Sequence, residues 1–301
     1  MRYLSLCSGI EAASVGWSPL GWNPVAFSEV APFCCELLRQ RFPGVPNLGD
    51  MSKLDGRKFR GAVDLVVGGT PCQGFSVAGR RGGLADERSG LAMRFVGLVS
   101  DVRPRWLLWE NVPGAFSTAG GRDFGTFLRA LDECGYSLAW RVLDAHFFGV
   151  PQRRRRIFLV GHLGDWRAPA AVLLERGGLR GDTSPRRKAG NDISGGTASG
   201  AGSGGGYVPR IVGQAMTCKW SKGTSGPPGD EYHNLVAPDG RVRRLTPLEC
   251  ERLQGFPDGW TDIPWRGKPA PDSLRYQALG NSMAVPVMRW LGERIRRVES
   301  Q

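Results

Sequence analysis

Cys72 stands in the segment Gly68-Gly69-Thr70-Pro71-Cys72-Gln73-Gly74-Phe75-Ser76, directly after the apolar run Val63–Val67. A short apolar run bounded by glycine reads as a buried strand. The cysteine therefore falls on a glycine-rich loop at a strand's carboxyl end, open to a ligand and free to approach it. That placement suits a nucleophile. The alternative, a buried structural thiol, is the common fate of a free cysteine, and the flanking glycines and polar Gln73 argue against it.

Other residues add to this chemistry. Glu110-Asn111-Val112 closes the apolar run Trp106–Trp109, where a carboxylate is desolvated and its pKa raised, as a proton donor requires; a strand-end ion pair is the competing reading. Gln152-Arg153-Arg154-Arg155-Arg156 leads into the run Ile157–Val160. Alternate side chains of an extended segment point the same way, so Gln152, Arg154 and Arg156 share a face. A merely solvated basic run is less natural where it abuts a buried strand. Cys7-Ser8-Gly9-Ile10-Glu11 follows the first strand, where a turn brings backbone N–H groups to a nucleoside cofactor. Glu29 ends the second strand, placed for ribose hydroxyls, and Asp50 is placed for an adenine amino group; each also reads as a surface acid. A Pro-Cys pair occurs in zinc deaminases too, but their pattern needs P-C-x-x-C and H-x-E. Residue 75 is Phe, and none of His146, His162 or His233 has Glu two places on.

These groups need elements to hold them. Arg2–Leu6, Pro24–Phe27, Val63–Val67, Trp106–Trp109 and Ile157–Val160 read as buried strands. Ala31–Phe42 and Asp123–Cys134 carry helical spacing, the latter stopped by Gly135. The alternation predicts a parallel, doubly wound sheet, whose ligands bind beyond the carboxyl ends of its strands. After Gly161 the pattern fails. Residues 166–242 are rich in Gly, Arg, Ser and Pro, and Gly190–Gly206 is low-complexity and expected to be mobile. Order returns where Thr246 and Glu249 form a capping box with Pro247 at the first helical position. A last helix over Val285–Val298 puts 287, 288, 291, 295 and 298 on one apolar face. The expected architecture is an α/β core of 1–165, completed by 243–301 and interrupted by a small domain over 166–242.

Composition narrows the partner. Lys and Arg number 40 against 28 Asp and Glu, a formal charge of +12, which favours a polyanion. Cys7, Cys34, Cys35, Cys72, Cys134, Cys218 and Cys250 contain no C-x-x-C pair, so neither a disulfide framework nor a zinc site is expected. The opening lacks a basic n-region and a long apolar stretch, and no run approaches the roughly 18 apolar residues of a membrane span. A cytoplasmic, reduced protein with no metal and no membrane is the expectation.

Taken together, the set resembles the DNA (cytosine-5)-methyltransferases, of the phage and prokaryotic type. The resemblance covers most of 1–165 and 243–301. It rests on Pro71-Cys72-Gln73, Glu110-Asn111-Val112, the Gln152-x-Arg154-x-Arg156 pattern, the Arg-x-Leu-Thr-Pro-x-Glu helix start at 243–249, Leu253-Gln254-Gly255-Phe256-Pro257 and Gly280-Asn281-Ser282. It implies a Rossmann-like S-adenosylmethionine-dependent methyltransferase fold with a small, irregular target-recognition domain. It implies catalysis by Cys72, Glu110, Arg154, Asn111 and Gln73. Cofactor contacts are implied at Cys7, Ser8, Gly9, Ile10, Glu11, Glu29, Val30, Asp50, Met51, Pro71, Asn281 and Ser282. Contacts to double-stranded DNA are implied at Ser76, Arg80, Arg88, Arg156, Thr217 and Lys219. A monomer is implied, with room for a cognate restriction endonuclease as partner. The first loop departs from the family's glycine-rich form, with Ser5, Cys7, Glu11 and Ala12 where the family shows an acid, an aromatic and further glycines. Ala78 stands where members often carry a serine that fills the gap left by the flipped base.

The implied chemistry explains the set. Carbon 5 of cytosine is a poor nucleophile and unreachable inside a duplex, so the base must be extruded at a few kcal/mol. Thiolate addition at C6 then makes C5 enamine-like, with Glu110 at N3, and methylation at C5 follows. Two rivals differ in class. A tRNA-directed relative would carry Cys-Phe-Thr, which is absent. A catalytically inactive DNA-binding relative would not need Cys72, Glu110 and Arg154 intact.

Overall fold

A computed structural model describes residues 1–70, 90–116, 121–174, 213–214, 235–236 and 243–301. In chain order the first elements are β1 (Arg2–Leu6), α1 (Ala12–Trp17), β2 (Asn23–Ser28), α2 (Pro32–Arg41), β3 (Leu65–Gly68), α3 (Gly90–Val102), β4 (Trp106–Asn111), α4 (Arg122–Glu133) and β5 (Tyr136–Asp144). There follow β6 (Gln152–Arg153), β7 (Arg155–Leu163), α5 (Arg167–Leu173), β8 (Gly213–Gln214), β9 (Leu235–Val236), β10 (Arg243–Arg244) and α6 (Pro247–Gln254). β11 (Pro264–Trp265), β12 (Lys268–Pro269), α7 (Asp272–Asn281) and α8 (Val285–Glu299) complete the described chain.

The main sheet has six strands in the order β2-β1-β3-β4-β7-β5. β2, β1, β3 and β4 are parallel, whereas β7 runs antiparallel to both β4 and β5. The wholly parallel sheet expected from the alternation is thus corrected to a mixed one. The correction brings the basic run into place. Because β7 is reversed, its start lies beside the end of β4, with Asn111 paired to Ile157. Arg154 and Arg156 therefore reach the same edge at which β1, β3 and β4 finish.

Strand side chains alternate between the two faces of the sheet. Tyr3, Leu65, Trp106, Leu108 and Val160 enter one apolar layer, together with residues of α1, α5 and α8. Leu4, Val66, Leu107, Trp109 and Leu159 enter the other, together with α3 and α4. The α1–α8 contact is close because both helices carry glycine there. A Cβ on Gly292 would lie 2.5 Å from Trp17 Cδ1, and one on Gly16 would lie 2.9 Å from the Arg289 nitrogen. Trp17 then donates its indole N–H to the Met288 carbonyl at 2.6 Å.

α6 starts with the expected capping box of Thr246 and Glu249 and with Pro247 in its first turn. α8 buries Val287, Met288, Leu291 and Ile295, the face its spacing predicts. α5 falls inside the span 166–242, yet its Ala168, Val172 and Leu173 belong to the main core, which therefore extends to residue 173. No helix among the described residues is long and apolar enough to cross a membrane.

Candidate active site

Two groups of residues meet at the edge where β1, β3 and β4 end. The first is the turn after β1. Cys7, Gly9 and Glu11 all have left-handed backbone, with φ of 51°, 57° and 62°. A non-glycine residue there is strained and must be held by its surroundings. Ser8 donates its N–H to the Ser28 carbonyl at 3.1 Å, and Gly9 donates its N–H to Glu29 Oε2 at 2.7 Å. The second oxygen of Glu29 accepts from Val30 and Ala31 N–H, both at 2.8 Å, so one carboxylate joins the turn to the start of α2. Nothing lies within 4 Å of a Cβ built on Gly9, which leaves its backbone facing open space.

Glu11 turns inward and caps α1. Its carboxylate accepts from Ser14 N–H at 3.2 Å, from the Ser14 hydroxyl at 2.5 Å and from the Ser5 hydroxyl. Burial pushes its pKa up to about 7, against the pull of these hydrogen bonds. The Cys7 thiol is pushed up to about 12, first by burial and then by Glu29 and Asp50, so it is a neutral donor to Met51 Sδ at 3.4 Å. Asp50 is held below the usual carboxylate range by the Ser52 N–H it accepts at 2.8 Å.

A cleft opens among Ser5, Cys7, Gly9, Glu11, Glu110 and the segment Asn281–Met283. Of the residues expected at the cofactor, Cys7, Ser8, Gly9, Glu11, Asn281 and Ser282 line it, and Glu29 reaches it through Gly9. Ile10 does not: its side chain is fully buried in the core, and only its carbonyl is used, accepting from the Trp260 indole at 2.9 Å. Val30 stands exposed beyond Glu29, and Met51 is buried behind Cys7. An open glycine turn beside a set of carboxylates suits a cationic nucleoside cofactor.

The second group surrounds Glu110, which is 8% exposed on β4. Burial raises its pKa, while the guanidinium groups of Arg156 and then Arg154 draw it back. Arg156 Nε lies 3.2 Å from Glu110 Oε1. This is the strand-end ion pair that Glu110 alone could suggest, and its partner is Arg156, a residue also expected at the DNA. Arg154 is buried and donates through Nη2 to the carbonyls of Gly280 at 3.0 Å and Ser282 at 2.7 Å. It thereby fixes the Gly280-Asn281-Ser282 segment against Glu110. Gln152 completes this latch by donating to the Leu253 carbonyl at 2.9 Å, next to Gln254, which donates to the Leu279 carbonyl at 2.7 Å.

The end of β3 runs alongside Glu110. A Cβ on Gly69 would lie 3.2 Å from Glu110 Oε2. Thr70 is then held from both sides. Asn111 Nδ2 donates to its carbonyl at 3.0 Å and the Trp109 indole donates to its hydroxyl at 3.0 Å. Pro71, Cys72, Gln73, Ser76, Arg80 and Arg88 lie outside the described residues, as do Thr217, Lys219 and Gly190–Gly206.

Sequence reasoning missed Thr70, Trp109, Trp260 and the buried Glu251, which accepts from Gly259 N–H at 2.7 Å and Thr261 N–H at 2.8 Å. Only the positions of Thr70 and Trp109, one step from motif residues, could have drawn attention to them.

The family model for C-5 cytosine-specific DNA methylase matches residues 1–176 and 210–297. The chain belongs to the C-5 cytosine-specific DNA methylases. Among relatives of this methylase, the DNA N-6-adenine-methyltransferase of Escherichia phage P1 is 32% identical across 98% of the chain, which spans 61% of that protein. The Type II methyltransferase M2.BsuMI of Bacillus subtilis is 31% identical across 98% of the chain and 75% of its own length. The fold matches that of the S. pombe Dnmt2 methyltransferase with a TM-score of 0.70 at 20% identity, covering 99% of each chain.

Proposed function

We propose that this methylase extrudes a cytosine from duplex DNA, adds the Cys72 thiolate to its C6 and methylates C5. The observation that carries the reading is the convergence of three things on one edge: the buried Glu110, the cleft after β1, and Thr70, two residues before Cys72. S-adenosylmethionine, when bound in that cleft, supplies an electrophilic methyl group on a sulfonium. Glu29 and Asp50 hold its ribose and adenine, and Asn281 and Ser282 border it. The remaining work falls to the chain. As the S–C6 bond forms, Glu110 gives its proton to N3, so that electron density collects at C5. After C5 is methylated, solvent water takes its proton, the C5–H electron pair forms the C5=C6 bond as the S–C6 bond breaks and Cys72 leaves as thiolate, and Glu110 recovers the proton from N3. Arg154 holds the Gly280 and Ser282 carbonyls and steadies Glu110, and the Arg156 guanidinium, 3.2 Å from Oε1, keeps that carboxyl in place for N3. Residues from 175 to 242 supply target recognition, with Thr217 and Lys219 at the DNA.

The name of the phage P1 relative raises a second reading, methylation of an adenine amino group. That amine carries its own lone pair and attacks a methyl donor directly, with no need for a thiolate or for a buried acid. Cys72 and Glu110 are surplus on that reading. Nucleoside mass spectrometry of DNA from cells expressing the chain separates the two. We expect 5-methylcytosine, lost in Cys72→Ser; N6-methyladenine in its place, surviving Cys72→Ser, would overturn the proposal. Bisulfite sequencing of the same DNA maps the target.

A further inference from the structure

We propose that Trp109 is a positioning residue for the methyl-transfer reaction, acting through the hydroxyl of Thr70 to aim the chain segment that bears Cys72. The inference rests on the reading of Cys72 as nucleophile. It begins with how little freedom the chain has as it leaves β3. A Cβ on Gly68 would lie 3.0 Å from the Leu6 carbonyl oxygen and 3.1 Å from Phe95, so the backbone is wedged between β1 and α3. Gly69 is wedged in turn between Glu110 and Met283, each 3.2 Å from where its Cβ would be. Thr70 comes next, 3% exposed, with its hydroxyl and its carbonyl both engaged.

Those two hydrogen bonds come from rigid donors. The Trp109 ring is fully buried, with its centroid 4.6 Å from that of Phe127 and 6.2 Å from that of Phe124, so the indole N–H cannot swing away. The Asn111 amide is oriented from its other end, because its Oδ1 accepts from Val112 N–H at 2.8 Å. Trp109 and Asn111 flank Glu110 on β4. The same three-residue stretch therefore holds the acid and anchors the approach to the nucleophile.

Covalent geometry carries that anchoring forward. A residue before proline is largely barred from the helical region, and proline fixes its own φ near −65°. The step from Thr70 through Pro71 to Cys72 thus has few soft torsions, and consecutive Cα atoms are about 3.8 Å apart. By covalent geometry alone, a shift of Thr70 carries residue 71 with it, and the fixed proline φ limits how much can be absorbed before residue 72. Misplacing a reacting group by about 1 Å lowers rates by up to about a hundredfold.

The test is the rate at which the full chain forms a covalent adduct with a duplex bearing 5-fluorocytosine at the mapped target cytosine. It is followed in a single turnover at saturating DNA and S-adenosylmethionine. Thr70→Val keeps the β-branched shape but removes the hydroxyl. We expect adduct formation about tenfold slower, with S-adenosylmethionine affinity within about twofold of the parent. Thr70→Ser, which keeps the hydroxyl, should restore the rate to within about twofold. Trp109→Phe should slow the reaction like Thr70→Val, and the double variant should be no slower than either single one. A Thr70→Val variant that traps DNA at the parental rate would overturn the inference. So would a Thr70→Ser variant as slow as Thr70→Val, or additive effects in the double variant. Should Trp109→Phe not fold, the Thr70→Val and Thr70→Ser pair decides alone. A parent that forms no adduct refutes the role of Cys72, and this inference with it.

Discussion

Glu11 gives the cofactor turn a pH dependence that can be worked out from its surroundings. Its side chain is buried, and burial outweighs the hydrogen bonds from Ser14 and Ser5, lifting its pKa from 4.5 to about 7. A group that binds its proton more tightly when folded contributes stability that is complete below its unfolded pKa. That contribution fades as pH rises through the folded pKa. With the two values at 4.5 and about 7, the contribution falls by about 2.5 kcal/mol between pH 5 and pH 8. Glu11→Gln has almost the same shape and can still accept from Ser14 N–H while donating to Ser5, but it does not titrate. Urea melts of parent and variant at pH 5 and pH 8 measure the difference. The variant should gain about 2.5 kcal/mol relative to the parent on going to pH 8, with the slope of the melts unchanged. If the gap between the two proteins is the same at both pH values, Glu11 is not a buried, proton-holding acid and the description of the turn is wrong.

Three further outcomes can be measured. Gly292→Ala drives a methyl to 2.5 Å from Trp17 Cδ1 and should destabilise the fold by about 1–3 kcal/mol; an unchanged Tm would contradict the close α1–α8 contact. Trp260→Phe removes the hydrogen bond to the Ile10 carbonyl while keeping a ring against Phe256. It should weaken S-adenosylmethionine binding a few-fold by calorimetry and leave DNA affinity alone, and equal losses in both would point to general unfolding. Lys219→Ala should weaken DNA binding and spare S-adenosylmethionine, with Asp50→Ala doing the reverse. If both variants lose cofactor to the same extent, recognition and cofactor binding are not separated along the chain.

What the sequence made legible was whatever depends on neighbours along the chain. β1 spans Arg2–Leu6 as its apolar run predicts, and the Thr246 capping box and the apolar face of α8 depend only on local spacing. β5 escaped notice because most of Tyr136–Asp144 is only half-buried, so it lacks the apolar run that marks the central strands. The direction of β7 is invisible to spacing, since an antiparallel strand covered on both faces reads like a parallel one. The site was legible as a list of residues, but its pairings were not. Nothing in the order of residues says that Arg156 pairs with Glu110. Nor does it say that Ile10 gives a carbonyl to Trp260 while its side chain joins the core. Those are contacts across the fold, and only tertiary packing decides them.

The central claim is that Cys72 attacks C6 of a cytosine that is then methylated at C5, and the covalent intermediate tests it most directly. With 5-fluorocytosine at the target position, the fluorine cannot leave as a proton does, so the S–C6 bond persists. Digestion of the complex and mass spectrometry should place the modified nucleotide on Cys72 in an adduct that survives denaturation and requires S-adenosylmethionine. Cys72→Ser should give none, because a hydroxyl supplies far less anion near neutral pH than a thiol of pKa near 8.5. An adduct that maps to Cys7 or Cys218, or one that persists in Cys72→Ser, would contradict the account.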